Sequence, residues 1–196
     1  PKGKSLNTGL SPLLLAVENA HFETALALLQ AGANPNDTRA GYAALHAVSW
    51  VRKPLRGDGN PAPIGSGELS RLEFVRALAE HQADLNIRHG PGKSGVRLNK
   101  TGAPPFLLAA NTADLPLLKL LLELGADPNL TNVDRSTPLL AAAGVDVLGS
   151  GNEPGGTEEE AVETVAWLLE LGADINAVDD QGQTAMHGAA FQEWTQ

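Results

Sequence analysis

The chain has no cysteine among its 196 residues, which excludes disulfide bridges and any thiolate-bound metal. It has no run of 18 or more apolar residues, so nothing in it is long enough to be a transmembrane helix. The start, Pro1 to Gly9, lacks the apolar stretch of a signal peptide. The chain as given therefore reads as soluble and cytoplasmic, with export still open if a signal once preceded Pro1. Catalytic signatures are absent as well. No two histidines stand at i and i+4, and there is no GxSxG elbow or phosphate loop. Gly90-Pro91-Gly92-Lys93-Ser94 has phosphate-loop residue types but lacks the spacing, the preceding strand and the following helix. No catalytic residue, metal ligand set or cofactor is assigned.

What is present is repetition. Leu117 to Asn129 reads LLKLLLELGADPN, an apolar helical run that other elements must cover on most of its circumference. Gly125 falls where a left-handed residue ends a helix, and Pro128 follows because proline cannot continue one. The same stop recurs at Gly32-Ala33-Asn34-Pro35-Asn36, Gln82-Ala83-Asp84-Leu85-Asn86 and Gly172-Ala173-Asp174-Ile175-Asn176. A start signal alternates with it: Ser11-Pro12-Leu13-Leu14, Ala43-Ala44-Leu45-His46, Pro104-Pro105-Phe106-Leu107, Thr137-Pro138-Leu139-Leu140 and Thr184-Ala185-Met186-His187. A hydroxyl residue at the N-cap with proline at the first helical position announces a helix.

Two motifs in strict alternation, with small Ala-Ala positions and leucine-rich second helices, resemble the ankyrin repeat from about Leu6 to Gln196. The resemblance is to a bacterial-type array with long insertions. It implies an all-α repeat, an ankyrin-repeat α-solenoid of helix-turn-helix units with projecting β-hairpin loops, over 1–196 as a single domain. Each unit of such a solenoid touches only its neighbours.

The units run over about 6–39, 40–89, 99–130 and 131–177, with a partial one at 178–196. From Ser11 to Gly32 is 21 positions, but from Ala43 to Gln82 is 39, so the second unit carries about 18 extra residues near 51–67 between its helices. Proline and glycine there forbid helix or central strand, and Glu68 to Glu80 restores the helix. A further insertion near 90–98 enlarges a hairpin. The fourth unit repeats the inter-helix insertion near 148–157, after which Thr157 with Glu158, Glu159 and Glu160 reads as an N-cap and an acidic first turn. By the family's geometry the two loop types lie on opposite lips of the groove. Leu13, Leu14, Leu15 and Val17 crowd the first helix, an expected apolar outer side for a covering segment or partner. The fifth unit lacks its second helix, so the expectation is a fragment of a longer array.

In that family the slot of His46 and His187 hydrogen-bonds groups near the helix start and hairpin, and Gly32, Gly125 and Gly172 end helices; these are structural motif residues. His21 matches a family position in the turn between helices. Glu158 to Glu160 with Glu163 diverge around a helix and read as a solvated turn instead of a cation site.

Residues 50–100 carry nine Lys or Arg and five Asp or Glu, whereas residues 101–196 carry two and fifteen. An acidic half repels phosphates, which argues against nucleic acid. The basic middle suits an acidic peptide or a small anion, or is ordinary solvation of loops. Only eight aromatic residues exist, so each carries weight. Tyr42 and Trp50 take groove-facing positions by the resemblance, and Tyr and Trp are favoured interface anchors.

The reading is a non-catalytic scaffold that binds a protein partner, with no nucleic acid or membrane, through Arg39, Tyr42, Trp50, Lys100, Asn111 and Asp134. On it, Trp50→Ala weakens partner capture at unchanged melting temperature, and a large stability loss marks Trp50 as core. One alternative is a small-molecule or enzymatic site in a pocket beside Trp50, walled by the insertions of units two and four. Another is self-association or packing within a larger chain.

Overall fold

The computed structural model describes residues 9–52, 62–91, 98–145 and 156–191. Most of each expected insertion (53–61, 92–97 and 146–155), and Trp194, lie outside the described residues. Nine helices and no strand are found among the described residues. They are α1 (Pro12–Glu18), α2 (Phe22–Gln30), α3 (Ala44–Val51), α4 (Arg71–Glu80), α5 (Pro105–Asn111), α6 (Leu115–Leu124), α7 (Pro138–Ala142), α8 (Glu158–Glu170) and α9 (Ala185–Phe191).

The odd-numbered helices pack in one row, α1 on α3 on α5 on α7 on α9, and the even-numbered ones from α2 to α8 in a second. This is the all-α repeat solenoid. Starts and stops follow local chemistry. Ser11, Thr137 and Thr157 accept the backbone N–H of the residue three positions on, and Gly125 closes α6 at a φ of +103°. Gln82 takes the same left-handed slot at +64°, where a side chain adds strain that glycine avoids. The expected restart of the second unit's helix at Glu68 is corrected. Helix α4 begins at Arg71, because Ser70 and Glu73 form a reciprocal capping box.

Helix α6 needs its surroundings, as its composition requires. Leu117, Leu118, Leu120 and Leu121 are buried, and each leucine withdrawn from water is worth about 2 kcal/mol. In α1 the expected apolar outer side does not arise. Leu13, Leu14 and Val17 turn inward and only Leu15 is exposed.

The Asp-x-Asn closings form a ladder between units. Within a closing, the first side chain accepts the N–H two residues on, as Asn34 does from Asn36 and Asp84 from Asn86. Between closings, Asn36 donates to the Gln82 carbonyl (2.9 Å) and accepts the Asp84 N–H (2.8 Å), and Asn86 accepts the Asp127 N–H (2.9 Å). Asn36→Ala removes both inter-unit bonds at an exposed site and is expected to lower the unfolding free energy by about 1 kcal/mol in urea titration.

Candidate functional site

Two side-chain clusters stand out. The first joins α3 to the neighbouring hairpins. The Tyr42 and Trp50 rings meet edge-on at 5.1 Å, His89 stacks on Tyr42 at 5.7 Å, and Lys100 Nζ lies 4.6 Å from the centroid of the Trp50 ring. A cation over an indole face is attracted by the ring quadrupole. The Tyr42 hydroxyl donates to Glu18 of the first unit, and its pKa is raised by burial first and then by that carboxylate. Three units thereby contribute to one surface.

His46 underlies this surface and is fully buried. Its Nδ1 accepts the Ala43 N–H at 3.1 Å, so the proton sits on Nε2, which donates towards the carbonyls of Ile87 and Ala103, both at 3.1 Å. Burial pushes its pKa down to about 4, with His89 and Lys100 adding to the shift and the two carbonyls opposing it. His89 is lowered too, again by burial first and then by Lys100. His187 occupies the equivalent slot, its Nδ1 accepting the Thr184 N–H at 3.1 Å, but it is exposed.

The other residues expected at the surface differ in what they can offer. Arg39 is exposed and paired with Asp37 (2.6 Å). Asp134 is half-buried, and its carbonyl accepts the Asp180 N–H. Asn111 is only 9% exposed, because α3, α6 and α7 pack around α5, so it has little surface for a partner. Trp50 is half-buried and packs on Leu98, Leu107 and Leu108 as well as on the main core. Its removal must therefore cost stability, and Trp50→Ala cannot separate binding from folding. Trp167 packs against the core with its ring 6.4 Å from Phe106.

The second cluster was not visible in the sequence. Asp114, fully buried, caps α6 by accepting the Leu117 N–H at 3.2 Å. Its Oδ2 lies 2.6 Å from Arg71 Nη1 and 3.5 Å from Arg52 Nε. These contacts are ionic and poorly aligned for directional hydrogen bonds, since neither Asp114 Oδ2 nor Arg52 Nε has a well-formed hydrogen-bond partner. Arg52 also reaches Glu160 (2.8 Å) and the Thr112 carbonyl (3.1 Å), tying units two, three and four.

Most of the expected walls of a pocket beside Trp50, 53–61 and 146–155, lies outside the described residues. The described part of the second unit's insertion folds back on the first unit instead: Ser66 Oγ lies 3.0 Å from His21 Nδ1, and the Glu68 N–H donates to Glu23 at 2.7 Å. Gly65 sits so close to the Ala20 carbonyl that a Cβ would meet its oxygen at 2.3 Å, which explains a glycine there. The fourth unit's insertion likewise ends with Gly156 against Ala113 of the third unit. A cleft of about 380 Å³ remains between Ala62–Arg71 and the Phe22, Val51 and Arg52 side, with Trp50 not on its wall. Glu68 is the carboxylate residue on its wall, and Arg52 and Arg71, also on the wall, are already paired with Asp114. Among the described residues no group of three His, Cys, Asp or Glu could hold a metal ion. No helix among the described residues is long and apolar enough to cross a membrane.

Comparison with known proteins finds ankyrin repeats in three stretches of the chain. The ankyrin repeat model covers residues 8–39 and 101–133, and the model of ankyrin repeats in many copies covers 158–193. The three stretches leave out 40–100 and 134–157, where the insertions lie. Ankyrin repeat and SOCS box protein 6 is 30% identical over 174 residues in both Pongo abelii and Homo sapiens, covering 88% of this chain and 33% of the relative. Ankyrin repeat and KH domain-containing protein mask-1 of Caenorhabditis elegans is 27% identical over 135 residues, covering 69% of this chain and 4% of the relative. The chain thus spans a third or less of the length of these relatives.

Proposed function

The chain belongs to the ankyrin repeat family, and from that premise we propose that it is a non-catalytic interaction module that captures an acidic segment of a protein partner. The observation that carries the reading is the joint surface of Tyr42, Trp50 and Lys100, where a half-buried aromatic pair lies beneath an ammonium group. Such a surface matches what interfaces use as anchors: large amphipathic rings, rigid in place, beside a charge that selects sign. Arg39, exposed on the neighbouring hairpin, adds a second cation, there paired with Asp37. His46 and Asp114, the groups whose burial would otherwise suggest chemistry, both have structural partners that account for them.

The test uses peptides selected from a random library against the chain. Acidic sequences are expected, and Arg39→Glu with Lys100→Glu is expected to weaken them by at least about tenfold, or about 1.4 kcal/mol. Selected peptides of no preferred charge, held equally well by that variant, would contradict the reading. The residue suited to this test is Lys100, because Trp50 also serves the core.

A further inference from the structure

On the side where α2, α4, α6 and α8 stack, two kinds of contact tie the second unit to the third. Asn86 accepts the Asp127 N–H at 2.9 Å, and Arg76 of α4 forms a two-pronged ion pair with Glu123 of α6 at 2.8 and 3.0 Å. Placing Gln82 on Gly125 and Gly125 on Gly172 sets Arg76 on Lys119, Glu123 on Glu170, Asn86 on Asn129 and Asp127 on Asp174. The joint between the third and fourth units therefore has the residues for the same two contacts. It makes neither. Among the described residues no hydrogen bond reaches the Asn129 side chain or the Asp174 N–H, and no ion pair joins Lys119 to Glu170.

A crevice of about 230 Å³ opens between the two closings instead. Pro128 and Asn129 line it from the third unit, Ala173 and Asp174 from the fourth, and the buried Leu139 and Leu168 lie between them. Leu171, also on its wall, is 41% exposed.

The opposite side of the same joint is tied. Arg52 of the second unit holds Glu160 in the first turn of α8 at 2.8 Å, and Gly156 packs on Ala113. At the hairpins the Asp134 carbonyl accepts the Asp180 N–H at 3.0 Å, and Arg135 pairs with Asp180. A joint fixed along one side and open along the other turns about its fixed side.

We propose that the joint between the third and fourth units is a hinge with two positions: the open one described above, and a closed one in which Asn129 accepts the Asp174 N–H and Lys119 meets Glu170. Closing adds one exposed hydrogen bond, worth a preference of about fivefold, and a surface ion pair worth less. A preference of that size leaves both positions populated. The movement swings units four and five relative to the Tyr42, Trp50 and Lys100 surface and so changes the curvature of the array.

The chain has no cysteine, so two introduced ones can be spin-labelled without background. Gln30, Glu80, Lys119 and Ala166 are all exposed. Gln30→Cys with Lys119→Cys spans the first three units, and Glu80→Cys with Ala166→Cys is the equivalent pair over the second to the fourth. Distance distributions from double electron-electron resonance are expected to show one narrow peak for the first pair and two for the second. Adding Asn129→Ala to the second pair is expected to lower the ratio of the shorter peak to the longer about fivefold. The Asn129 side chain bonds nothing in the open position, so an unchanged melting temperature verifies that this variant folds. A single narrow peak for the second pair, or two peaks whose ratio Asn129→Ala leaves unchanged, would overturn the proposal.

Discussion

Asp114→Ala is expected to lower the unfolding free energy by about 3 kcal/mol. The carboxylate is fully buried, ends the α5–α6 turn as the cap of α6, and stands between two guanidinium groups. Removing it deletes the cap and strands two cations in a partly dehydrated site. The loss sits at the low end for a broken buried pair because Arg52 keeps Glu160 and the Thr112 carbonyl, and Arg71 keeps the Val48 carbonyl at 3.3 Å. Asp114→Asn separates the causes, since asparagine caps a helix as well as aspartate does but carries no charge. Urea titration of both variants decides between them. A loss confined to Ala assigns the effect to the cap, and equal losses assign it to the ion pairs. A loss below about 1 kcal/mol in both would mean that the cluster does not hold units two to four together.

Acidification from pH 6.5 to 4 is expected to remove about 3 kcal/mol of stability through His46. The sign follows from where the proton goes. In the unfolded chain His46 takes up a proton near the ordinary imidazole value of 6.5, whereas in the folded chain it stays neutral down to about 4. Between those values only the unfolded state binds the proton, so stability is complete above about 6.5 and falls as pH drops, by about 1.4 kcal/mol per unit. The folded ring resists protonation for a geometric reason: its Nδ1 would have to give up the Ala43 N–H. His89, lowered in the same direction, adds to the slope.

The stabilising pairs of Asp37, Glu73 and Glu123, whose pKa values are also lowered, are lost as pH falls below their ordinary values of 3.8 and 4.5. The window above that belongs to the histidines. Unfolding free energies of the parent and His46→Gln at a series of pH values check this. The variant should be less stable at pH 7 yet flatter between 6.5 and 4. Parallel curves would remove His46 as the cause.

Both effects rest on contacts that differ in how far they could be read from the sequence. The helix stops at Gly32, Gly125 and Gly172 were legible because a left-handed turn demands a residue type at one position. The caps at Ser11, Thr137 and Thr157 were legible because donor and acceptor lie three residues apart. The true start of α4 was equally local, since the Ser70–Glu73 pair has the spacing of a capping box. Asp114 was not legible. Its partners come from 43 and 62 positions away, and Arg52 spans 108 to reach Glu160. The burial of Asn111 escaped for a related reason: it depends on the neighbouring units, while the residue's own segment looks like an exposed helix end. The return of the second insertion onto the first unit depends on Gly65 and Ser66 finding Ala20 and His21, contacts that no periodicity encodes.

Hydrogen exchange on the chain with and without a selected acidic peptide tests most directly the claim that the hairpin-side aromatic and basic surface binds the partner. Slowed exchange is expected at 39–50 and 98–103, around Tyr42, Trp50 and Lys100, with α2, α4, α6 and α8 unchanged. Protection confined to those outer helices, or to α8 and α9, would contradict it.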